Sequence, residues 1–444
     1  MAINRRRFLS GAAGACGATL LASSQFDSVL QGEAQLSSDA ASLPSPSQSG
    51  IDHIVIVTME NRSFDHLLGW LPGADGEQAG LHYVDTQGVS HATYPLAPDY
   101  TGCPHPSPDH SYQGSRIDYA QGKMDGFLKN PANDIFAVGY YTRKDIPFYA
   151  ALALNYTTLS RYFCSLLGPT FPNRIFQYAA QTDRLDDSVS LSKLPTILDS
   201  LNEAGVSVKY YFNNVPFLAL WGLKYILHTA TYAEFLSHAA TGNLPAVSYV
   251  DPAYTVLDDG TGNDDHPHAD IRRGEAFLAR TFHAVASGPA WKNTVFIVNF
   301  DENGGFFEHV PPPRAAAPNN VDTDVVDGKT LLGPRVPTVV ASPFTRGNPA
   351  SPRVIPAVFD HTSSLKLIEW RWGLKPLTKR DASNDVLNLA QALNFAEPNA
   401  EVPALPSPAA PLPQPCLALG AELSQLTQFG RLAKSDLMKG WPGR

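Results

Sequence analysis

Ile51-Asp52-His53-Ile54-Val55-Ile56-Val57-Thr58-Met59 runs directly into Glu60-Asn61-Arg62. The apolar run reads as a buried strand. Open α/β sheets place their ligands at the carboxyl ends of such strands, and this end carries a carboxylate and an amide, two hard oxygen donors. The pattern recurs where Thr294-Val295-Phe296-Ile297-Val298-Asn299-Phe300 leads into Asp301-Glu302-Asn303-Gly304-Gly305. Two buried strands ending in acids, far apart in the chain, predict one metal site assembled from both.

Between and beyond these strands, helix and strand signals alternate from Ile51 to about Pro398. A helix is expected over Leu194–Ala204, ending at Gly205, and a strand over Val206–Phe212. A short strand over Ala246–Val250 ends at Asp251, and Ile271–Ser287 reads as a helix. Val336–Ala341 reads as a strand and His361–Trp372 as a helix. This order predicts an α/β fold whose long loops carry the function.

The chain has 444 residues, of which 43% are hydrophobic and 17% charged, in keeping with a packed core of one large or two ordinary domains. A net charge of −9 argues against broad nucleic-acid binding. Asn4-Arg5-Arg6-Arg7-Phe8-Leu9 and the weakly apolar stretch behind it read as a twin-arginine signal peptide over residues 1–34, too short for a stable membrane span. The twin-arginine translocase is the partner this implies, and periplasmic or secreted the location. A Ser/Ala/Gln/Pro-rich linker follows over 35–50, then a catalytic domain over 51–400. Residues 401–444 hold a proline-rich segment and a helix expected over Ala421–Met438. Without the leader, Cys103, Cys164 and Cys416 remain; one bridge is possible in an oxidising compartment, and the spacing fits no zinc motif.

Several segments carry the chemistry. Glu60 and Asn61 suit a divalent cation, with Ser63 or Asp65 capping the next helix; a plain strand–turn–helix cap is the alternative. Leu167-Gly168-Pro169-Thr170-Phe171-Pro172-Asn173-Arg174 holds one hydroxyl in a rigid backbone. Thr170 is a candidate nucleophile and Arg174 a candidate phosphate ligand, or else Thr170 caps a helix that begins near Asn173. Asp264-Asp265-His266-Pro267-His268-Ala269-Asp270 suits metal ligation or proton transfer, or is a polar loop before the next helix. In Asp301–Pro313, the acid pair and His309 are natural cation and phosphate contacts, and the glycine pair permits positive φ. Asp360-His361 opens a helix whose dipole favours anions. His110 lies in a Pro/His-rich loop.

Together these segments resemble the bacterial phosphoesterase family that contains phosphatidylcholine-hydrolysing phospholipase C and acid phosphatase A. The resemblance runs from about Ile51 to about Trp372. Glu60–Asp65, Gly168–Arg174, Asp265-His266-Pro267, Asp301–Pro313 and Asp360–Ser363 occur in the family's order. It implies an alkaline-phosphatase-like core, a largely parallel central sheet flanked by helices. It implies that Glu60, Asn61, Asp301 and Glu302, with Thr170, hold a divalent metal; calcium, zinc, manganese and iron all suit such donors. Thr170 matches the phospholipase-type nucleophile, where the acid phosphatase branch has serine. His110, His266, His309 and His361 match histidines lining the phosphate pocket, and Asn173 and Arg174 are assigned to substrate phosphate.

The implied activity is phospholipase C-type hydrolysis of phosphodiester lipids through a phosphothreonine, with broad phosphomonoester hydrolysis as the alternative. A non-catalytic lipid- or metal-binding exoprotein is the remote one. Glu308 stands where the family often has Asp, and His268 is an extra imidazole. The larger phospholipases carry C-terminal β domains; here the expectation is a catalytic core with a proline-rich stretch and one helix.

Overall fold

The computed structural model describes residues 43–416 and 427–442. The leader expected over 1–34 and the start of the linker over 35–50 lie outside the described residues.

An eight-stranded sheet forms the centre. In chain order its strands are β1 (His53–Met59), β2 (Thr157–Leu159), β3 (Val208–Phe212), β4 (Thr229–Thr231), β5 (Val247–Val250), β6 (Thr294–Phe300), β7 (Val339–Ala341) and β8 (Arg353–Ile355). Across the sheet the order is β8-β2-β7-β6-β1-β5-β3-β4. Only β7 runs against the rest, pairing antiparallel with β6 and β2. The two longest strands, β1 and β6, lie side by side in parallel at the centre. They can sit there because both faces are apolar. From Ile54 to Met59 no residue is more than 3% exposed, the near-continuous burial that a sheet covered on both sides requires. Each such Val or Ile contributes roughly 1.5–3 kcal/mol on burial. The polar exception, Thr58, donates within the core to Gln177 Oε1 and Asn299 Oδ1, at 2.7 and 2.8 Å.

The covering helices begin where the sequence supplies caps. They include α1 (Phe64–Leu68), α2 (Pro147–Asn155), α3 (Thr170–Ala179), α4 (Ile197–Glu203), α5 (Tyr232–Thr241), α6 (Ile271–Ala286) and α7 (His361–Trp372). Asp270 caps α6, and Asp360 forms a reciprocal capping box with Ser363 at the start of α7. Capping also explains a shorter α4 than expected. Thr196 accepts from Leu198 N and pairs with Asp199, so the helix starts after it and not at Leu194. The strand expected over Val336–Ala341 contracts to β7. Of the C-terminal helix expected over Ala421–Met438, residues 421–426 lie outside the described residues. Gln428–Ala433 is helical (α8) and Asp436–Met438 is a single tight turn.

Candidate active site

Register builds the site. Met59 pairs with Phe300 across β1 and β6, so Glu60 and Asp301 leave the sheet side by side. Val57 pairs with Val250, which brings Asp251 to the same edge. All three carboxylates are buried, a costly arrangement without a cation. Arg174 is that cation. Its Nε donates to Glu60 Oε1 at 2.6 Å and to Asp301 Oδ2 at 2.9 Å. One terminal nitrogen reaches Asp251 Oδ1 and the Tyr254 hydroxyl, and the other the carbonyls of Thr58 and Met59. The guanidinium assigned to substrate phosphate is thus engaged by carboxylates of the protein. Arg174 lies one helical turn beyond Thr170, on the same face of α3. The bonds that neutralise the acids therefore also hold Thr170 beside them.

Asn61 and Glu302 complete the cluster. Asn61 sits at φ +57°, a left-handed conformation that asparagine tolerates better than most residues. Its backbone N–H and that of Glu302 both donate to Asp301 Oδ1, at 3.1 and 2.7 Å. The loop carrying Asn61 can approach because residue 304 is glycine. A Cβ there would lie 2.2 Å from Asn61 O, at a φ of +62°. Asn61 Nδ2 lies 3.0 Å from His110 Nε2, while His110 Nδ1 donates to Pro108 O. That pattern leaves Asn61 Oδ1 buried without a hydrogen-bond partner, and Glu302 Oε1 is in the same condition. Orphaned buried acceptors are rare. Burial, reinforced by the Asp301 charge, pushes the Glu302 carboxyl up to about 8 against the pull of His110. Hard oxygen donors short of positive charge fit a divalent cation. The acids and Asn61 expected to hold one are brought together.

Thr170 opens α3 as its first residue, preceded by Pro169 with no side-chain cap. The helix therefore starts at Thr170 and not near Asn173, and Thr170 Oγ1 caps nothing. Asn173 pins the turn before it. Its amide donates to the carbonyls of Leu166, Gly168 and Pro169, and its Oδ1 accepts from Leu166 N. Every polar atom of Asn173 is thus committed to the loop that presents Thr170. Asp187 accepts from Phe171 N at 2.7 Å, where the helix dipole favours an acid.

The histidines divide into two groups. His110, His266 and His268 line a cleft of about 570 Å³, along with Asp109, Tyr112, Asp187, Gln428 and Arg431. Burial disfavours the charged form of His110, but Glu302 and Asp187 outweigh it and raise its pKa. Burial and the neighbouring imidazoles of His110 and His268 bring His266 down to about 3, so it is neutral. His361 lies behind the acids: its Nε2 donates to Asp301 O at 2.7 Å and its Nδ1 faces the Tyr162 hydroxyl. His309 meets Asp65 Oδ2 at 2.6 Å and Asp75 at 3.5 Å. Asp65, Glu308 and His309 place ligand atoms within 4.8 Å of one another, close enough to hold a metal. Arg335 already bonds to Glu308 Oε1 and Asp65 Oδ1 there, at 2.6 and 3.1 Å, and compensates both acids.

Several site residues had no place in the sequence reading. Asp251 carried the same signal as Glu60 and Asp301, an acid after a buried strand, while Tyr254, Arg335 and Gln428 carried none. Among the aromatic residues, Tyr112 lines the cleft, whereas Tyr141 and Trp221 are buried in the core. Cys103 is disulfide-bonded to Cys416, and Cys164 is a buried free thiol.

Comparison with known proteins bears on the family. A family model described as "Phosphoesterase family" matches residues 51–375. Phospholipase C B of Mycobacterium tuberculosis is 33% identical over 424 residues, spanning 78% of each chain. Non-specific phospholipase C6 of Arabidopsis thaliana is 31% identical over 380 residues, spanning 76% of this chain and 71% of its own. Among solved structures, a protein in the alkaline phosphatase superfamily from Vibrio parahaemolyticus aligns with 78% of this chain and 73% of its own, at 11% identity and a TM-score of 0.37.

Proposed function

The chain belongs to the phosphoesterase family, and from that premise we propose a divalent-metal-dependent phosphodiesterase of the phospholipase C type, acting through a phosphothreonine on Thr170. One observation carries this reading. Thr170 Oγ1 and Glu60 Oε2 flank a single amide nitrogen, that of Gln428, at 3.1 and 3.4 Å. A hydroxyl at a helix start thus adjoins the acid cluster that contains the orphaned oxygens. Relatives named as phospholipases C from a bacterium and a plant favour the diester substrate.

Glu60, Asn61, Asp301 and Glu302, with Thr170, are the residues that would hold the cation. When bound, it lowers the pKa of the Thr170 hydroxyl and offsets charge on the phosphoryl oxygens. Thr170 Oγ1 attacks phosphorus in line; the Oγ–P bond forms as the bond from phosphorus to the glycerol oxygen breaks. The departing alkoxide takes a proton from His110, the cleft imidazole whose charged form Glu302 and Asp187 favour, and leaves as diacylglycerol. Water then attacks the phosphothreonine, the Oγ–P bond breaks, an imidazole accepts the water's proton, and the head-group phosphate departs. Arg174 and Asn173 position Thr170, and His361 steadies the Asp301 backbone. The leader reading at Arg5-Arg6-Arg7 adds export to the periplasm or beyond through the twin-arginine translocase, and the Cys103–Cys416 bridge suits an oxidising compartment. Among the described residues no helix is long and apolar enough to cross a membrane.

The test is hydrolysis of phosphatidylcholine and of an aryl phosphate monoester by the wild type and Thr170→Ala, with and without a chelator. Diacylglycerol release that needs both Thr170 and the metal is the expected result. Cleavage of the monoester alone would assign an acid phosphatase activity. Undiminished hydrolysis by Thr170→Ala would overturn the mechanism.

A further inference from the structure

The amide that touches the Thr170 hydroxyl comes from outside the region the family match covers. That match ends at residue 375. Gln428 begins α8, and although this short helix follows a long proline-rich stretch, the residue is only 6% exposed. Nε2 donates to Thr170 Oγ1 at 3.1 Å and reaches Glu60 Oε2 at 3.4 Å.

The neighbours of Gln428 fix that placement. Thr427 Oγ1 donates to Thr255 O at 2.5 Å and accepts from Gly430 N at 3.0 Å. The Phe429 ring stacks on Tyr254, with centroids 3.5 Å apart and planes 7° from parallel, and meets Phe171 edge-on at 5.4 Å. Tyr254 is the residue whose hydroxyl accepts from Arg174. Three consecutive tail residues are therefore engaged with the framework that holds the nucleophile and the acids. Upstream, the tail is fastened to the core as well. Arg273 donates to Pro411 O at 2.7 Å, and Cys416 is bonded to Cys103, in the loop that leads to His110.

We infer that Gln428 is a catalytic residue, donating an amide hydrogen bond to Thr170 Oγ1 as negative charge develops there. This rests on the reading of Thr170 as the nucleophile. When water cleaves the phosphothreonine, the Oγ–P bond breaks and negative charge develops on Oγ1; an N–H donor 3.1 Å from that oxygen stabilises it as it leaves. The same bond selects one rotamer of Thr170, which the backbone alone does not do. A carboxylate at position 428 would have the opposite polarity. It would accept from the hydroxyl, and it would stand against Glu60.

The experiment uses the full oxidised chain loaded with a divalent cation. It compares kcat, KM and the pH dependence of kcat for the wild type, Gln428→Met, Gln428→Glu and Thr170→Ala, alongside Tm and cation affinity by calorimetry. Methionine keeps the length and packing without the donor; glutamate keeps the shape and reverses the polarity. The expected result for Gln428→Met is a fall in kcat of about 10- to 100-fold, at or below the range for losing one donor to a developing oxyanion. KM, Tm and cation affinity stay near the wild type, and kcat falls by the same factor across the pH profile. Gln428→Glu loses at least as much. Wild-type kcat in Gln428→Met, with Thr170→Ala inactive, overturns this inference and leaves the proposed function standing. Loss of kcat only in proportion to a fall in Tm overturns it too, since packing alone would account for that. An active Thr170→Ala overturns the functional reading itself.

Discussion

Glu60 and Asp301 accept hydrogen bonds from the same nitrogen, Arg174 Nε, at 2.6 and 2.9 Å. They can share it because the strands that precede them end in register, Met59 opposite Phe300. The guanidinium that satisfies them belongs to the helix that Thr170 opens. Sheet edge, acids and Thr170 are thus one rigid assembly, and most of its predicted behaviour follows from that.

Arg174→Met removes the positive charge and leaves Glu60, Asp251 and Asp301 buried without compensation. The unfolding free energy at pH 7, with no divalent cation present, should fall by about 3–5 kcal/mol, the usual cost of stripping one partner from a buried ionic cluster. Saturating cation should restore part of it. Urea denaturation followed by far-UV circular dichroism measures both effects. A loss below about 1 kcal/mol, as for an exposed pair, would remove Arg174 from its role as the compensating charge.

Gly304→Ala forces a methyl group to within 2.2 Å of Asn61 O at a φ of +62°. The backbone of one loop must yield. The expected cost is more than about 1 kcal/mol of stability, opposite in sign to the gain that Gly-to-Ala brings where the backbone is compatible. Because the displaced segment carries Asn61 Oδ1, divalent-cation affinity should fall with it. Calorimetric titration of the purified variant decides the point, and unchanged affinity would separate Asn61 from the cation.

Stability should depend on pH through His309. Burial opposes its charge, but the bonds to Asp65 and Asp75 outweigh it and lift His309 to about 10. A raised histidine contributes stability that is fully present below its unfolded value, near 6.5, and that is lost as pH rises through 10. Asp75 is depressed, chiefly by His309. Its share is present above its unfolded value near 3.9 and fades as pH falls below that. The stability gap between wild type and His309→Gln should be widest between roughly pH 4 and 6.5, on the order of 3 kcal/mol, and nearly closed above pH 10. A gap that is constant over this range would show that the imidazole contributes by packing and not by charge.

Cation removal should be visible without any substrate. A cation that binds the folded chain adds about 2.7 kcal/mol at a hundred times its dissociation constant. Chelation should therefore lower Tm in the wild type and have much less effect in Glu302→Gln, which lacks one charged donor. Equal Tm shifts in the two proteins would point to a cation bound somewhere other than the Glu60–Asp301 edge.

The central strands were legible because buried parallel strands need unbroken apolar runs, and few other structures tolerate them. His361–Trp372 was legible to the residue, since Asp360 and Gly373 mark its two ends. Less was legible where a local signal had several uses. Thr170 could have been a cap; the helix instead starts on it, and its hydroxyl stays available. Arg174 and Asn173 carried the chemistry of phosphate ligands, but the folded chain surrounds one with acids and the other with carbonyls. Four histidines had equal standing until the fold put His110 and His266 on the cleft, His361 behind Asp301 and His309 among Asp65 and Asp75.

By itself the sequence determined the central strands of the sheet, the acids at its edge and the family, because these rest on local patterns: apolar runs, caps, and donors adjacent in the chain. Only the tertiary structure decided which charge meets which. Arg174 against Glu60, Asp251 and Asp301, and Gln428 against Thr170, are contacts across long stretches of chain. In a buried site of low dielectric, an ionic or polar side chain takes the role of whatever partner the fold brings within reach, and no spacing along the sequence encodes that distance.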